Sequence, residues 1–178
     1  GMALSAVGLI FDNLRTAYRD GKNLEAREKM SLASTYAGFA FTRANVGYVH
    51  AIAHQFGGLY HTPHGLANAI MLPFVLKYSA PAITGRLAQL ALRARVGTEA
   101  ESEDELAQKF LDAVDQLNRD LGIPTFLAAL KEAEEALKSD DKDRMNAQAE
   151  SLAKTAQKLG EKMYADALAP FKKANSIA

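Results

Sequence analysis

LEAREKMSLASTYAGFAFTRANVGYVHAIAHQF, from Leu24 to Phe56, is the stretch on which the fold turns. Its alanines, leucines and aromatics recur at spacings of three and four, and β-branched residues are too sparse for a strand. The pattern predicts one long helix. It starts charged (LEAREKM) and then becomes small and apolar on every side (SLASTYAGFAF), the composition of a helix crossing the middle of a bundle. Its end is expected at Gly57-Gly58.

The same period continues on both sides. A first helix is predicted from about Ala3 to Tyr18, closing at Asp20-Gly21-Lys22-Asn23, where the glycine can take the positive φ that ends a helix. Downstream, Thr62-Pro63-His64 has the form of a helix start, with a hydroxyl N-cap and proline at the first helical position. That helix should run to about Tyr78 with a bend near Pro73. Beyond Pro81 a helical segment covers Gly85 to Val96, and a capping box at Ser102 and Glu105 opens another that stops near Gly122-Ile123-Pro124. After Thr125 the chain is rich in Ala, Lys, Glu and Gln. An acidic break at Ser139 to Asp143, a helix from about Arg144 to Leu159 and a frayed tail after Pro170 are expected there. The fold class is all-α, a helical bundle in one domain over residues 1–178.

Composition narrows the function. The 178 residues hold 21 Lys plus Arg and 21 Asp plus Glu, so no overall field favours nucleic acid or an anionic membrane face. No window is expected to supply the roughly 20 apolar residues of a membrane span. There is no cysteine, which leaves histidine and carboxylate as metal ligands and excludes thiolate chemistry. No GxGxxG or GxxxxGK[ST] loop and no βαβ alternation is present to cradle a nucleotide. A cytoplasmic location is expected, and Gly1 before Met2 has the form of a tag scar.

All four histidines, His50, His54, His61 and His64, fall between Val49 and Gly65. His50 and His54 are four apart on one helical face, about 5–6 Å apart at Cβ, which makes half of a divalent metal site. His64 returns from the following corner as a third donor. The other reading of an i,i+4 histidine pair is plain surface chemistry, and His61 reads as a solvated loop tip. No glutamate stands between His50 and His54 in the H-E-x-x-H manner of zinc proteases.

NVGYVHAIAHQFGGLYHTPHGLANAIMLPFVLKY, with PHGLANAIMLP at its centre, resembles the signature of the iron-containing (group III) alcohol dehydrogenases. MSLASTYAGFAF before it and LNRDLGIP after it resemble that family's segments in the same order, so the likeness covers about Ala3 to Pro124. It implies the family's helical C-terminal metal-binding domain. Carried over residue by residue, it implies His50 and His64 as metal ligands, His54 as a proton relay beside nicotinamide and substrate, and Phe41 as an aromatic lining the substrate pocket. His61 falls where relatives vary and takes no ligand role.

The resemblance further implies Fe2+ or Zn2+, an NAD(P) cofactor, a small alcohol or aldehyde substrate and a homo-oligomer. Two family features find no match here. The positions four before the histidines hold Val46, His50, Gly57 and Tyr60, so the Asp-x3-His motif that gives the other two ligands has no match, and no N-terminal dinucleotide-binding domain is expected within these 178 residues. The 178 residues alone are therefore expected to be inactive. After Thr125 the family's Pro-Arg element is also not found, and Lys138 to Phe171 reads as a plain amphipathic helix pair. The alternative reading is a helical self-association or docking module. A third is a rebuilt site in which all four histidines hold one ion.

Overall fold

The structure is a computed structural model that describes residues 1–126, 128, 129 and 131. Five helices follow in order: α1 Met2–Arg19, α2 Leu24–Ala44, α3 Tyr48–Tyr60, α4 His64–Arg93 and α5 Glu103–Asp120. No strand occurs among the described residues. The expectations for residues beyond 131, including the acidic break and the helix from Arg144, lie outside the described residues.

The long helix expected over Leu24 to Phe56 is two helices. Asn45 takes φ 62°, and Gly47 is the extended N-cap of α3. Asparagine tolerates positive φ and glycine costs a helix interior stability, so two weak breakers two residues apart turn the chain. The helix also does not end at Gly57-Gly58. α3 runs through both glycines to Tyr60, and His61 supplies the left-handed closing residue at φ 54°. Nor does the apolar half of α2 cross the middle of a bundle: it packs on α1 through Ala26 and Ala33, while Phe39 and Phe41 stay exposed.

Other ends differ by small steps. α1 closes at Asp20, which is extended, and Gly21 does not take a positive φ. The N-cap of α4 is Pro63 rather than Thr62, with His64 as its first residue and no side-chain cap. The predicted break between Tyr78 and Gly85 is present as a kink, where two helical segments meet without an intervening loop. α4 continues through Pro73 and Pro81 to Arg93, and its one non-helical residue is Ile83 (φ −133°, ψ 19°). The missing proline N–H and the ring's clash with the preceding turn account for a kink there.

α4 is the hub, packed by α5 along most of its length, by α3 and by α1. Among the described residues it is also the one helix long and apolar enough to cross a membrane, with mean hydropathy 1.3, contrary to the expectation that no window would reach that level. Length and composition alone give that result. The main core lies where Leu87, Ala88 and Ala91 of α4 meet Leu106, Phe110 and Val114 of α5. Small residues on α4 let the helices approach closely, and Phe110 fills the space against Phe11 of α1 at 5.8 Å between ring centroids. Three polar links fix the register: Arg15 to Asp120 (2.6 Å), Lys77 to Asp115 (2.6 Å) and the Asn118 amide to the Ala69 carbonyl (2.8 Å). The hydrogen bond from Arg15, supported by Gln116, holds the Asp120 carboxyl below its ordinary carboxylate range.

α5 begins as expected. The Ser102 hydroxyl accepts from the Glu105 N–H (3.3 Å) and Glu105 Oε2 accepts from the Ser102 N–H (2.9 Å), a complete capping box. It ends where Gly122 takes φ 68°, the left-handed conformation that suits glycine. Ser102→Ala is expected to lower unfolding free energy by about 1 kcal/mol. Urea denaturation checks this, and an unchanged midpoint would show that the box contributes nothing to α5.

Candidate metal and substrate site

The site forms at the corner between α3 and α4. His50 and His54 project from one face of α3, one turn apart. After Tyr60 the left-handed His61 reverses the chain within three residues, and α4 opens directly on His64. The reversal lays α4 against α3 and returns His64 to the face that carries the other two. The ring centroids of His50, His54 and His64 stand 5.8, 5.3 and 5.3 Å apart, a nearly equilateral triangle. His61 caps the turn, is exposed, and has no part in the triangle.

Partial burial lowers the pKa of His50 from its ordinary value, and the charges of His64 and His54 lower it further. Its neutral form, the one with a free nitrogen lone pair, therefore dominates at neutral pH. Three imidazoles on one corner are a nitrogen donor set suited to Fe2+ or Zn2+. The set does not close around an ion by itself: among the described residues, no three His, Asp or Glu groups are arranged to hold one. The donors thus fit part of a metal site.

Beside His50 opens a cavity of about 580 Å3. Phe41, Val46, Val49, Leu72 and Val75 make its apolar walls, and His50 and Asn68 are among its few polar groups. Phe41 sits on α2 rather than on the helix of His50. It reaches the same cavity because the chain turns at Asn45–Gly47, which the expectation of one continuous helix did not foresee. The site's four sequence candidates therefore sit close together: His50, His54 and His64 at the corner, Phe41 on the adjoining wall. A second apolar cavity of about 420 Å3 adjoins through Tyr48 and Val75, lined also by Ile52, Met71, Phe74 and Tyr78.

Sequence reasoning missed Asn68. Its Nδ2 lies 3.1 Å from His64 Nε2 and donates to the His64 carbonyl oxygen at 2.8 Å, while its buried Oδ1 has no partner among the described residues. The signal was available in the i,i+4 spacing from His64 inside PHGLANA.

The C-terminal profile of the Fe-containing alcohol dehydrogenase family matches residues 1–158. The 1,3-propanediol dehydrogenase of Citrobacter freundii is 46% identical over 134 residues, 74% of this chain and 35% of that protein. Alcohol dehydrogenase 4 of Saccharomyces cerevisiae (strain YJM789) is 42% identical over 130 residues, 72% of this chain and 32% of that protein. Among solved structures, a crystal structure of 1,3-propanediol oxidoreductase superposes with a TM-score of 0.70 at 38% identity, over 84% of this chain and 44% of that one. The match to the curated relatives thus spans about a third of their length.

Proposed function

The chain belongs to the Fe-containing alcohol dehydrogenase family, as its helical C-terminal part, and from that premise we propose that it supplies the metal-facing half of an NAD(P)-linked alcohol–aldehyde interconverting site. The observation that carries this reading is the triangle of His50, His54 and His64 beside an apolar cavity.

His50 and His64 would hold the ion through ring-nitrogen lone pairs. Fe2+ or Zn2+ bound there would supply Lewis-acid polarisation of an alcohol oxygen. His54, within 5.3 Å of His64 and exposed to solvent, passes the hydroxyl proton toward water. Phe41 and the aliphatic wall take the substrate's carbon chain and keep water from the reacting carbon. NAD(P), if bound by groups outside the described helices, would supply the hydride acceptor. The substrate is a small alcohol, in keeping with the 1,3-propanediol named for the Citrobacter relative.

With two histidine ligands and no glycine-rich phosphate loop among the described residues, the 178 residues alone are expected not to turn over. Supplied with Fe2+ or Zn2+, NAD(P)+ and a panel of short alcohols that includes 1,3-propanediol, the chain is expected to form no NAD(P)H above a His50→Ala control. Reproducible production that depends on both metal and His50 would overturn this.

A second reading draws on the surface around the site. Phe41, Tyr48, Phe74 and Tyr78 are each more than half exposed along the two adjoining cavities. An apolar face of that extent is normally covered by protein, so the chain works as a docking or self-associating module. A sizing measurement that returns a monodisperse monomer across the micromolar range would count against this reading.

A further inference from the structure

We propose that Asn68 is a positioning residue that sets the tautomer of His64, holding Nε2 as the nitrogen with the free lone pair. The assignment follows from the hydrogen bonds of one amide. Asn68 stands one turn after His64 on α4, and its Nδ2 lies 2.8 Å from the His64 carbonyl oxygen and 3.1 Å from His64 Nε2. A carbonyl oxygen only accepts. The atom 2.8 Å from it is therefore the NH2 group, because a flipped amide would set two acceptor oxygens against each other.

The same NH2 group has a second hydrogen, and Nε2 is within its reach. An NH2 nitrogen has no lone pair to offer, so Nε2 must be the acceptor, and in a neutral ring the proton then sits on Nδ1. Oδ1 has no hydrogen-bond partner among the described residues, so the two contacts of the NH2 group are what orient the amide. With the lone pair on Nε2, an arriving ion meets a ring nitrogen already free of its proton. It displaces one amide hydrogen bond, while the bond to the His64 carbonyl remains. That last consequence rests on the metal site proposed above; the tautomer does not.

The test is nitrogen-15 correlation spectroscopy of the imidazoles in the metal-free chain. It is run at about pH 8.5, some two units above the ordinary imidazole value, so that the ring is neutral. His64 signals are assigned by their loss in His64→Ala. In the unaltered chain, His64 Nε2 is expected at the downfield position of an unprotonated ring nitrogen and Nδ1 at the upfield position of a protonated one. Asn68→Ala removes the donor and favours helix, so His64 should shift to predominantly Nε2–H, the commoner form in water. Asn68→Asp presents only acceptor oxygens and should give the same reversal.

A protonated Nε2 in the unaltered chain overturns the proposal without reference to any variant, and so does an Asn68→Ala spectrum identical to it. The readout is taken without metal, so the two claims separate. A reversal in a chain that binds no ion would sink the metal assignment and leave the role of Asn68 standing. Tight metal binding with no reversal would do the opposite.

Discussion

Replacing His50 with alanine is expected to weaken Zn2+ or Co2+ binding by about 100-fold, and replacing His64 to do the same. The magnitude comes from sites with four protein ligands, where apparent binding free energies of roughly 10–16 kcal/mol divide into about 2.5–4 kcal/mol per ligand; at 1.36 kcal/mol per tenfold, that is on the order of 100-fold or more. His50 is the sharper probe, because partial burial and two neighbouring rings already favour its neutral form. His54→Ala removes a neighbour rather than a ligand and should change affinity by about 10-fold. His61→Ala should stay within about twofold, since His61 caps the turn and stands outside the triangle. Calorimetric titration of protein never exposed to nickel resin measures all four. An equal loss at His50, His54, His61 and His64 would favour a site rebuilt from all four histidines.

Leu87→Ala is expected to lower unfolding free energy by about 3 kcal/mol, within the 2–5 kcal/mol range for a buried leucine. Leu87 is 0% exposed in the cluster with Phe110 and Val114. Its neighbours on α4, Ala88 and Ala91, are too short to fill the space it would leave. A loss below about 1 kcal/mol in urea denaturation would mean that the α4–α5 interface is not the core described here. The variant also separates folding from binding. Leu87 lies some 35 Å along α4 from His64 at 1.5 Å per residue, so while the variant remains folded its metal affinity should match that of the unaltered chain.

The helical class and the start and stop of α5 were legible in the sequence because each rests on local chemistry. Ser102 and Glu105 are three apart, and Gly122 offers a left-handed stop. What was not legible depends on competition between weak signals. Asn45 and Gly47 interrupt a pattern whose apolar period continues across them, so the period alone predicts one helix where there are two. His61 takes the left-handed position although two glycines stand just before it. Glycine permits a helix end without requiring one, and the packing of α3 on α4 sets where the chain turns. Of the two prolines of α4, Pro81 marked a real disturbance, though neither opens a loop. Pro73 is buried inside a continuing helix, and the disturbance near Pro81 appears at Ile83 as a kink rather than an end.

For the site, the cluster of four histidines was visible at once, and the resemblance singled out His50, His54, His64 and Phe41. The gathering of His50, His54 and His64 was readable from the helical spacing and the corner that follows it; the approach of Phe41 was not, because it depends on α2 returning to the cavity of His50. Asn68 escaped although its i,i+4 spacing from His64 was visible, because that spacing carries meaning only once His64 is placed at the site. Its bond to His64 is local in sequence, yet its meaning comes from the corner that gathers the three rings.

The central claim is that this chain brings two imidazole ligands and leaves the other coordination positions to groups outside its described residues. X-ray absorption at the zinc edge, on the chain loaded with one equivalent of Zn2+, tests it most directly. The account predicts two imidazole nitrogens at about 2.0 Å with the remaining positions filled by light oxygen donors, unchanged in His54→Ala and reduced to one in His50→Ala. A shell of three or four imidazoles, or one that loses an imidazole in His54→Ala, would contradict it.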